Sequence, residues 1–153
     1  MSWQDKLRQV EPYVAGEQPK ISNMIKLNTN ENPYGPSDRV KEVLKEIDIE
    51  KLKLYPNSDG EELRHALADY HGLKDDQVFL GNGSDEVLAL TFLTFFNGKE
   101  PVLFPNISYS FYPVYCDLYQ MSYNEVLLDQ DFKINVEDFK QQNSGIIFPN
   151  QNA

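Results

Sequence analysis

The chain of 153 residues is long enough for a compact domain with a sizeable core, because 41% of its residues are hydrophobic and 12% are aromatic. Its formal net charge of −10 argues against nucleic-acid binding and against attachment to an anionic membrane surface. The single cysteine, Cys116, cannot form an internal disulfide, which indicates a reducing cytoplasm and a buried thiol. No apolar run reaches the length of a membrane span, and no residues occur at metal-ligand spacing.

The first part of the chain predicts an arm and a loop. A short helix is expected over residues 3–9, followed by an extended segment with little periodicity. Residues 28–36 form a non-regular stretch that is rich in asparagine and proline, which indicates either a surface loop or a lip that faces a substrate. The apolar side chains of the arm need a surface on their own domain or on a second subunit, and they are Trp3, Val10, Tyr13, Val14, Met24 and Ile25.

Two amphipathic helices are predicted next, with a break between them at residues 55–58. Ser37 is a suitable N-cap for the first helix, whose apolar residues recur with helical spacing. The second helix opens with a capping-box pattern at Asp59 and Glu62. Gly72 stands where a glycine ends a helix in the left-handed conformation.

From residue 77 onward, short apolar strands alternate with helices. The strands are expected at residues 77–80, 102–104, 124–128 and 145–148, and the helices at residues 84–97 and 109–119, with a short one opening at residue 135. This alternation predicts an α/β fold with a mostly parallel sheet that is covered by helices on both faces. Helix 84–97 is apolar nearly all round and is therefore expected to be buried.

The main candidate for a ligand site is the strand–helix junction at residues 81–86, with the sequence Gly-Asn-Gly-Ser-Asp-Glu. Its two glycines allow a tight turn, and Ser84 is expected to cap the helix. The first N–H groups of a helix have no intrahelical partner, so the turn can bind a phosphate, although an ordinary capped turn explains the same pattern. Ligands bind beyond the carboxyl ends of parallel strands, where residues 81–85, 105–109 and 149–152 are expected to meet at one rim.

Four motifs in order carry a family resemblance: residues 27–33, residues 54–56 with 62–64, residues 81–86, and residues 105–112. Together they resemble the N-terminal part of the fold-type I aminotransferases that depend on pyridoxal 5′-phosphate. The closest likeness is to the histidinol-phosphate aminotransferases. The resemblance covers nearly the whole chain but only the N-terminal part of such an enzyme.

The resemblance implies pyridoxal 5′-phosphate as the cofactor and a role for several residues. The N–H groups of Ser84 and Asp85 would bind the cofactor phosphate, and Tyr109 would stack on the cofactor ring. Asn152 would bind the phenolic oxygen of the cofactor, and Tyr55 would reach the phosphate of the neighbouring subunit in a homodimer with shared active sites. The substrate-binding residues would be Asn30, Asn32 and Tyr34.

The implied reaction transfers an amino group from a phosphorylated amine, histidinol phosphate, to the 2-oxo acid 2-oxoglutarate in histidine biosynthesis. No residue of the chain matches the Schiff-base lysine of the family or the aspartate that faces the pyridine nitrogen, so no catalytic residue is assigned. The chain is therefore expected to be a fragment that is inactive alone. Residues 1–50 would form the arm and a small-domain segment with the substrate lip, and residues 51–153 part of the large cofactor-binding domain.

Three other interpretations stay open. Gly81 and Gly83 after a strand begin the dinucleotide-binding fingerprint, but Glu86 stands where its third glycine belongs. Other fold-type I enzymes, such as the threonine-phosphate decarboxylases, resemble the same N-terminal region. The third interpretation is a non-catalytic fragment that dimerises or pairs with a separate C-terminal chain.

Overall fold

The computed structural model describes residues 2–11 and 19–152, so Tyr13 and Val14 of the predicted arm lie outside the described residues. The chain divides into two compact units. One comprises residues 1–17 and 81–153, and the other comprises residues 18–80. The predicted division at residue 50, between an arm with a substrate lip and a large domain, stays a prediction.

The unit of residues 18–80 contains two α-helices, α1 over Asp38–Glu46 and α2 over Glu61–His71. A 3-10 helix follows each of them, at Ile49–Lys53 and at Asp75–Gln77. Ser37 caps α1 as predicted, since its hydroxyl accepts the N–H of Val40 at 3.4 Å.

The ends of α2 confirm one expectation and correct another. Gly72 ends the helix as predicted, with a left-handed φ of 66°. The helix begins after Gly60 rather than at a capping box on Asp59, because Gly60 takes the N-cap position with a left-handed φ of 57°. A Cβ on Gly60 would lie 2.8 Å from Cδ1 of Leu80, so a larger residue here would have to displace this side chain and also adopt the left-handed conformation.

The predicted strand at residues 77–80 is wrong, since the described structure has no strand there. Two local hydrogen bonds stabilise the 3-10 turn that ends at Gln77. The main-chain N–H of Gln77 donates to the carbonyl of Lys74 at 3.0 Å, and the Gln77 side chain accepts the N–H of Lys74 at 3.0 Å. Val78 is extended but belongs to no ladder. An apolar run predicts burial, whereas a strand also needs a pairing partner.

The other unit contains a three-stranded parallel sheet in the order β2-β1-β3. The strands are β1 over Val102–Pro105, β2 over Tyr123–Val126 and β3 over Gly145–Ile146. All four residues of β1 are buried, as expected for the central strand. The helices are α3 over Gly83–Phe95 and α4 over Phe111–Tyr119, with a short 3-10 helix at Trp3–Lys6 and another at Val136–Phe139. The predicted α/β class with a parallel sheet is confirmed.

The core of this unit lies on both faces of β1, because neighbouring residues of a strand point to opposite faces. On one face, Val102 and Phe104 pack with residues of α3 and α4, among them Phe92 and Cys116. On the other face, Leu103 packs with Val126 and with Phe139 of the second 3-10 helix. Cys116 is buried as predicted, and burial raises the pKa of its thiol to about 12, so the thiol is protonated and inert at neutral pH.

The prediction that α3 is buried nearly all round is wrong. Phe92 is fully buried, but Leu93 is 43% exposed and Phe95 is 74% exposed. The described residues therefore cover one side of α3 and leave apolar side chains of the other side in contact with solvent. Among the described residues, no helix combines the length and the apolarity that a membrane crossing needs.

Candidate cofactor site

The N-cap of α3 lies two residues earlier than predicted. Asn82 is the N-cap and Gly83 the first residue of the helix, so the prediction that Ser84 caps the helix is wrong. Gly83 allows the early start because it adopts a φ of 81°, and its N–H donates to the carbonyl of Gly81 at 3.0 Å. Ser84 and Asp85 thus become the second and third helical residues. Their exposed N–H groups have no acceptor among the residues that the structure describes.

Two tyrosines fix the position of Asp85. The hydroxyl of Tyr109 donates to Oδ1 of Asp85 at 2.6 Å. The hydroxyl of Tyr115 donates to the main-chain oxygen of Asp85 at 3.1 Å. Burial, with the nearby Asp85 as a second cause, raises the pKa of Tyr115 to about 12, so this hydroxyl keeps the proton that it donates. The first turn of α3 is therefore attached to Tyr109, just before α4, and to Tyr115 within α4.

Tyr109 is half-buried, and its ring is held on two sides. It stacks on Phe111 with centroids 5.6 Å apart and a 28° angle between the planes, and it meets Tyr112 edge-on at 5.6 Å. The hydrogen bond to Asp85 fixes the hydroxyl end of the same side chain. An aromatic ring thus lies in a defined orientation, with its hydroxyl bonded to the first turn of α3.

The segment after β3 reaches the same rim. The side-chain amide of Asn152 donates to the carbonyl of Ile107, in the loop that follows β1, at 2.8 Å. Hydrogen bonds therefore connect residues 81–85 with 105–109, and 105–109 with 149–152, so the three segments meet as expected, although residues 81–85 follow no strand of the described structure.

The remaining predicted site residues lie in the unit of residues 18–80. Tyr55 is 95% exposed in the break between α1 and α2. Asn30 is exposed with a left-handed φ of 48°, and Oδ1 of Asn32 accepts the N–H of Tyr34 at 3.0 Å. Tyr34 is itself exposed. The roles of these four residues in binding a substrate or cofactor stay predictions.

Two residues of the site have no predicted role in the sequence. Tyr115 is in a tyrosine-rich helix but gives no signal of its contact with Asp85. Glu86 breaks the dinucleotide fingerprint, yet its carboxylate accepts both the N–H of Asn82 at 2.6 Å and the side-chain amide of Asn82 at 3.0 Å. These bonds lower the pKa of Glu86, the one from the main-chain N–H most. Only the spacing of Asn82 and Glu86 could have predicted these bonds from the sequence, because a carboxylate in the first turn of a helix can accept hydrogen bonds from the N-cap residue.

The donors at this rim fit a phosphate monoester that is joined to a flat ring. Two unpaired N–H groups at the positive end of a helix suit a phosphate. The aromatic side chain of Tyr109 is joined to the same helical turn through its hydroxyl, and the turn itself carries glycine at residues 81 and 83. A Cβ on Gly81 would meet Cγ2 of Val87 at 2.7 Å, so the backbone approach at this turn depends on glycine.

Comparison with known proteins gives matches over nearly the whole chain. The profile of the family described as "Aminotransferase class I and II" matches residues 22–150. The chain is 57% identical over all 153 residues to a histidinol-phosphate aminotransferase of Lactococcus lactis subsp. cremoris, of which it covers 43%. It is 52% identical over 151 residues, 99% of the chain, to a histidinol-phosphate aminotransferase of Pseudomonas putida, again covering 43% of that protein. The same identity relates it to histidinol-phosphate aminotransferase 1 of Hydrogenovibrio crunogenus, with 42% covered. The chain thus spans less than half the length of these relatives.

Proposed function

Because the chain belongs to the family of class I and II aminotransferases, we propose that the full-length protein transfers the amino group of histidinol phosphate to 2-oxoglutarate with pyridoxal 5′-phosphate as cofactor. The full-length protein here means these residues together with the part that the relatives carry beyond them. Identities of 52% to 57% with histidinol-phosphate aminotransferases over the whole chain support this choice of substrate and a place in histidine biosynthesis.

The observation that carries the proposal for the cofactor is the hydrogen bond between Tyr109 and Asp85. It fixes an aromatic side chain to the first turn of α3, where the N–H groups of Ser84 and Asp85 would receive the phosphate. The ring of Tyr109 would lie on the flat ring of the cofactor, and Asn152 would bind its phenolic oxygen. Pyridoxal 5′-phosphate supplies, when bound, the carbonyl that takes up the amino group and the ring that stabilises negative charge during its transfer.

The substrate assignment can be tested on the full-length protein with a coupled assay of 2-oxoglutarate consumption. We expect turnover with histidinol phosphate and much slower turnover with histidinol, because the unphosphorylated compound lacks the charge that a phosphate-binding site recognises. An amine of unrelated structure serves as the control for non-specific transamination. Turnover with another amine but none with histidinol phosphate would contradict the assignment of the substrate, while transamination would remain the reaction class.

We propose that the active site is shared between the subunits of a homodimer and that Tyr55 binds the cofactor phosphate of the partner subunit. The exposure of Tyr55, 95%, at a break between two helices supports a role at a surface. Replacing Tyr55 by phenylalanine in the full-length protein should weaken cofactor affinity about 10- to 150-fold, which corresponds to a hydrogen bond to a charged group. Tyr70, an exposed tyrosine of α2, provides the control variant Tyr70→Phe.

A mixed dimer distinguishes a shared site from a site within one subunit. In a dimer of one Tyr55→Phe subunit and one Tyr109→Ala subunit, a shared arrangement leaves one of the two sites fully intact. We therefore expect half of the sites to bind the cofactor with the affinity of the unmodified protein. If every site of the mixed dimer binds the cofactor weakly, Tyr55 acts within its own subunit and the proposal of a shared site is wrong.

A cytoplasmic location is part of the same proposal. The single, buried cysteine has no partner for a disulfide within the chain. Transamination of a phosphorylated metabolite also requires a compartment that holds both this metabolite and 2-oxoglutarate.

A further inference from the structure

The turn before α3 lacks the usual cap of a helix. Asn82 is the N-cap residue, but its side chain makes no capping hydrogen bond to the helix. Instead, a single oxygen, Oε2 of Glu86, accepts both the main-chain N–H and the side-chain amide of Asn82. Glu86 therefore holds the turn from inside the helix, in place of a side chain that would cap it from outside.

The same carboxylate lies directly against the glycine that precedes Asn82. A Cβ on Gly81 would be 3.1 Å from Oε2 of Glu86, so glycine gives the carboxylate the space to reach Asn82. The positive end of the α3 dipole favours an ionised carboxylate in this first turn. Ionisation in turn strengthens both hydrogen bonds from Asn82, since bonds to charged acceptors are stronger than neutral ones.

The two bonds also determine which donors stay available to a ligand. The N–H of Asn82 is occupied by Glu86 and the N–H of Gly83 by the carbonyl of Gly81. Within the part of the chain that the structure describes, the main-chain donors of Ser84 and Asp85 have no acceptor, and Tyr109 and Tyr115 fix Asp85 through two further hydrogen bonds. Hydrogen bonds thus fix the residue Asn82 before these two N–H groups and the residue Asp85 that carries the second of them.

We propose that Glu86 is a positioning residue for the phosphate site, because its two bonds to Asn82 fix the turn that directs the N–H groups of Ser84 and Asp85 toward the phosphate. This inference rests on the proposed function, which locates the cofactor phosphate at this turn. Loss of the carboxylate frees Asn82, and the ligand must then order the turn on binding, which lowers its affinity. Glu86 itself does not contact the ligand.

The test compares two ligands that cannot form a covalent bond to a lysine, pyridoxine 5′-phosphate and pyridoxine, by calorimetry on the cofactor-free full-length protein. Glu86→Ala should weaken binding of the phosphorylated compound about tenfold and leave binding of pyridoxine unchanged. Glu86→Gln keeps an oxygen that can accept but loses the charge, so about a threefold loss is expected. Glu42, an exposed glutamate of α1, supplies the control variants Glu42→Ala and Glu42→Gln, which should match the unmodified protein.

Hydrogen exchange without any ligand gives a second measurement. In Glu86→Ala, the amide of Asn82 should lose its protection, while the amides of β1 in the core exchange as before. Equal losses of affinity for the two ligands, or unchanged affinity and unchanged protection of Asn82 in Glu86→Ala, would overturn the role of Glu86. If the unmodified protein binds the two ligands equally well, the phosphate site of the proposed function fails instead.

Discussion

A polypeptide that consists of these 153 residues should catalyse no transamination between histidinol phosphate and 2-oxoglutarate, whereas the full-length protein should. The reaction needs a lysine amine as the covalent partner of the cofactor and as a proton carrier, and an acid that keeps the pyridine nitrogen protonated. Lys133 and Lys140, in the unit that contains the rim, are exposed and paired with Asp131 and Glu137. They lack the desolvated surroundings that activate a lysine as a nucleophile.

The same polypeptide should also fail to retain pyridoxal 5′-phosphate. The N–H groups of Ser84 and Asp85 and the ring of Tyr109 supply only non-covalent contacts, which dialysis should remove. The measurement is borohydride reduction after incubation with the cofactor, followed by mass spectrometry of the peptides. The full-length protein, treated in the same way, is the control and should carry one label at one lysine. A stoichiometric label on a single lysine of the 153-residue polypeptide, together with turnover, would place the catalytic lysine within this sequence and contradict the prediction.

Local signals in the sequence predicted the parts of the fold that depend on neighbouring residues. Ser37 caps α1 because a serine hydroxyl reaches the third helical N–H without help from elsewhere in the chain. Gly72 ends α2 because glycine adopts the left-handed conformation at low cost. The same kind of signal failed at Ser84, where Gly83 tolerates an early start of the helix and shifts the cap to Asn82.

The contacts of the candidate site join residues that are far apart in the sequence. The hydroxyl of Tyr109 lies 24 residues from its acceptor on Asp85, and Asn152 lies 45 residues from Ile107. The rule that ligands bind at the carboxyl ends of parallel strands predicted that these segments meet. It could not identify the atoms that pair, because side-chain direction depends on the register of the sheet and on the packing of α3 against α4.

Composition also predicted that α3 is buried without indicating on which side. Its sequence is apolar in nearly every direction, so it contains no polar stripe that marks a solvent face. In the structure, Phe92 is buried against the rings of Tyr112 and Tyr115 and Phe95 is exposed, although both phenylalanines belong to the same helix. The two phenylalanines therefore form a matched pair for testing which face of α3 holds the unit together.

Replacing Phe92 by alanine should lower the free energy of unfolding of this chain by about 3–5 kcal/mol, the usual cost of removing a buried aromatic ring. Phe92 is fully buried, and its ring centroid lies 5.2 Å from Phe96, 5.8 Å from Tyr112 and 5.3 Å from Tyr115. The contacts with Tyr112 and Tyr115 join α3 to α4. Surrounding side chains can collapse only partly into the space, so the variant loses both the burial and the packing of its neighbours.

The control variant is Phe95→Ala, which removes the same side chain from the exposed side of the same helix and should change the free energy of unfolding by less than about 0.5 kcal/mol. Urea denaturation followed by circular dichroism measures the free energy of unfolding of both variants. An unchanged dependence of this free energy on urea concentration shows that the variants and the unmodified chain undergo the same unfolding reaction. Because the hydroxyl of Tyr115 binds the main-chain oxygen of Asp85, loss of Phe92 should also loosen the first turn of α3. Hydrogen exchange at Asn82, whose N–H donates to Glu86 in this turn, should therefore rise in Phe92→Ala but not in Phe95→Ala. Equal destabilisation by the two variants would show that α3 packs on both faces and that the division between its buried and exposed sides is wrong.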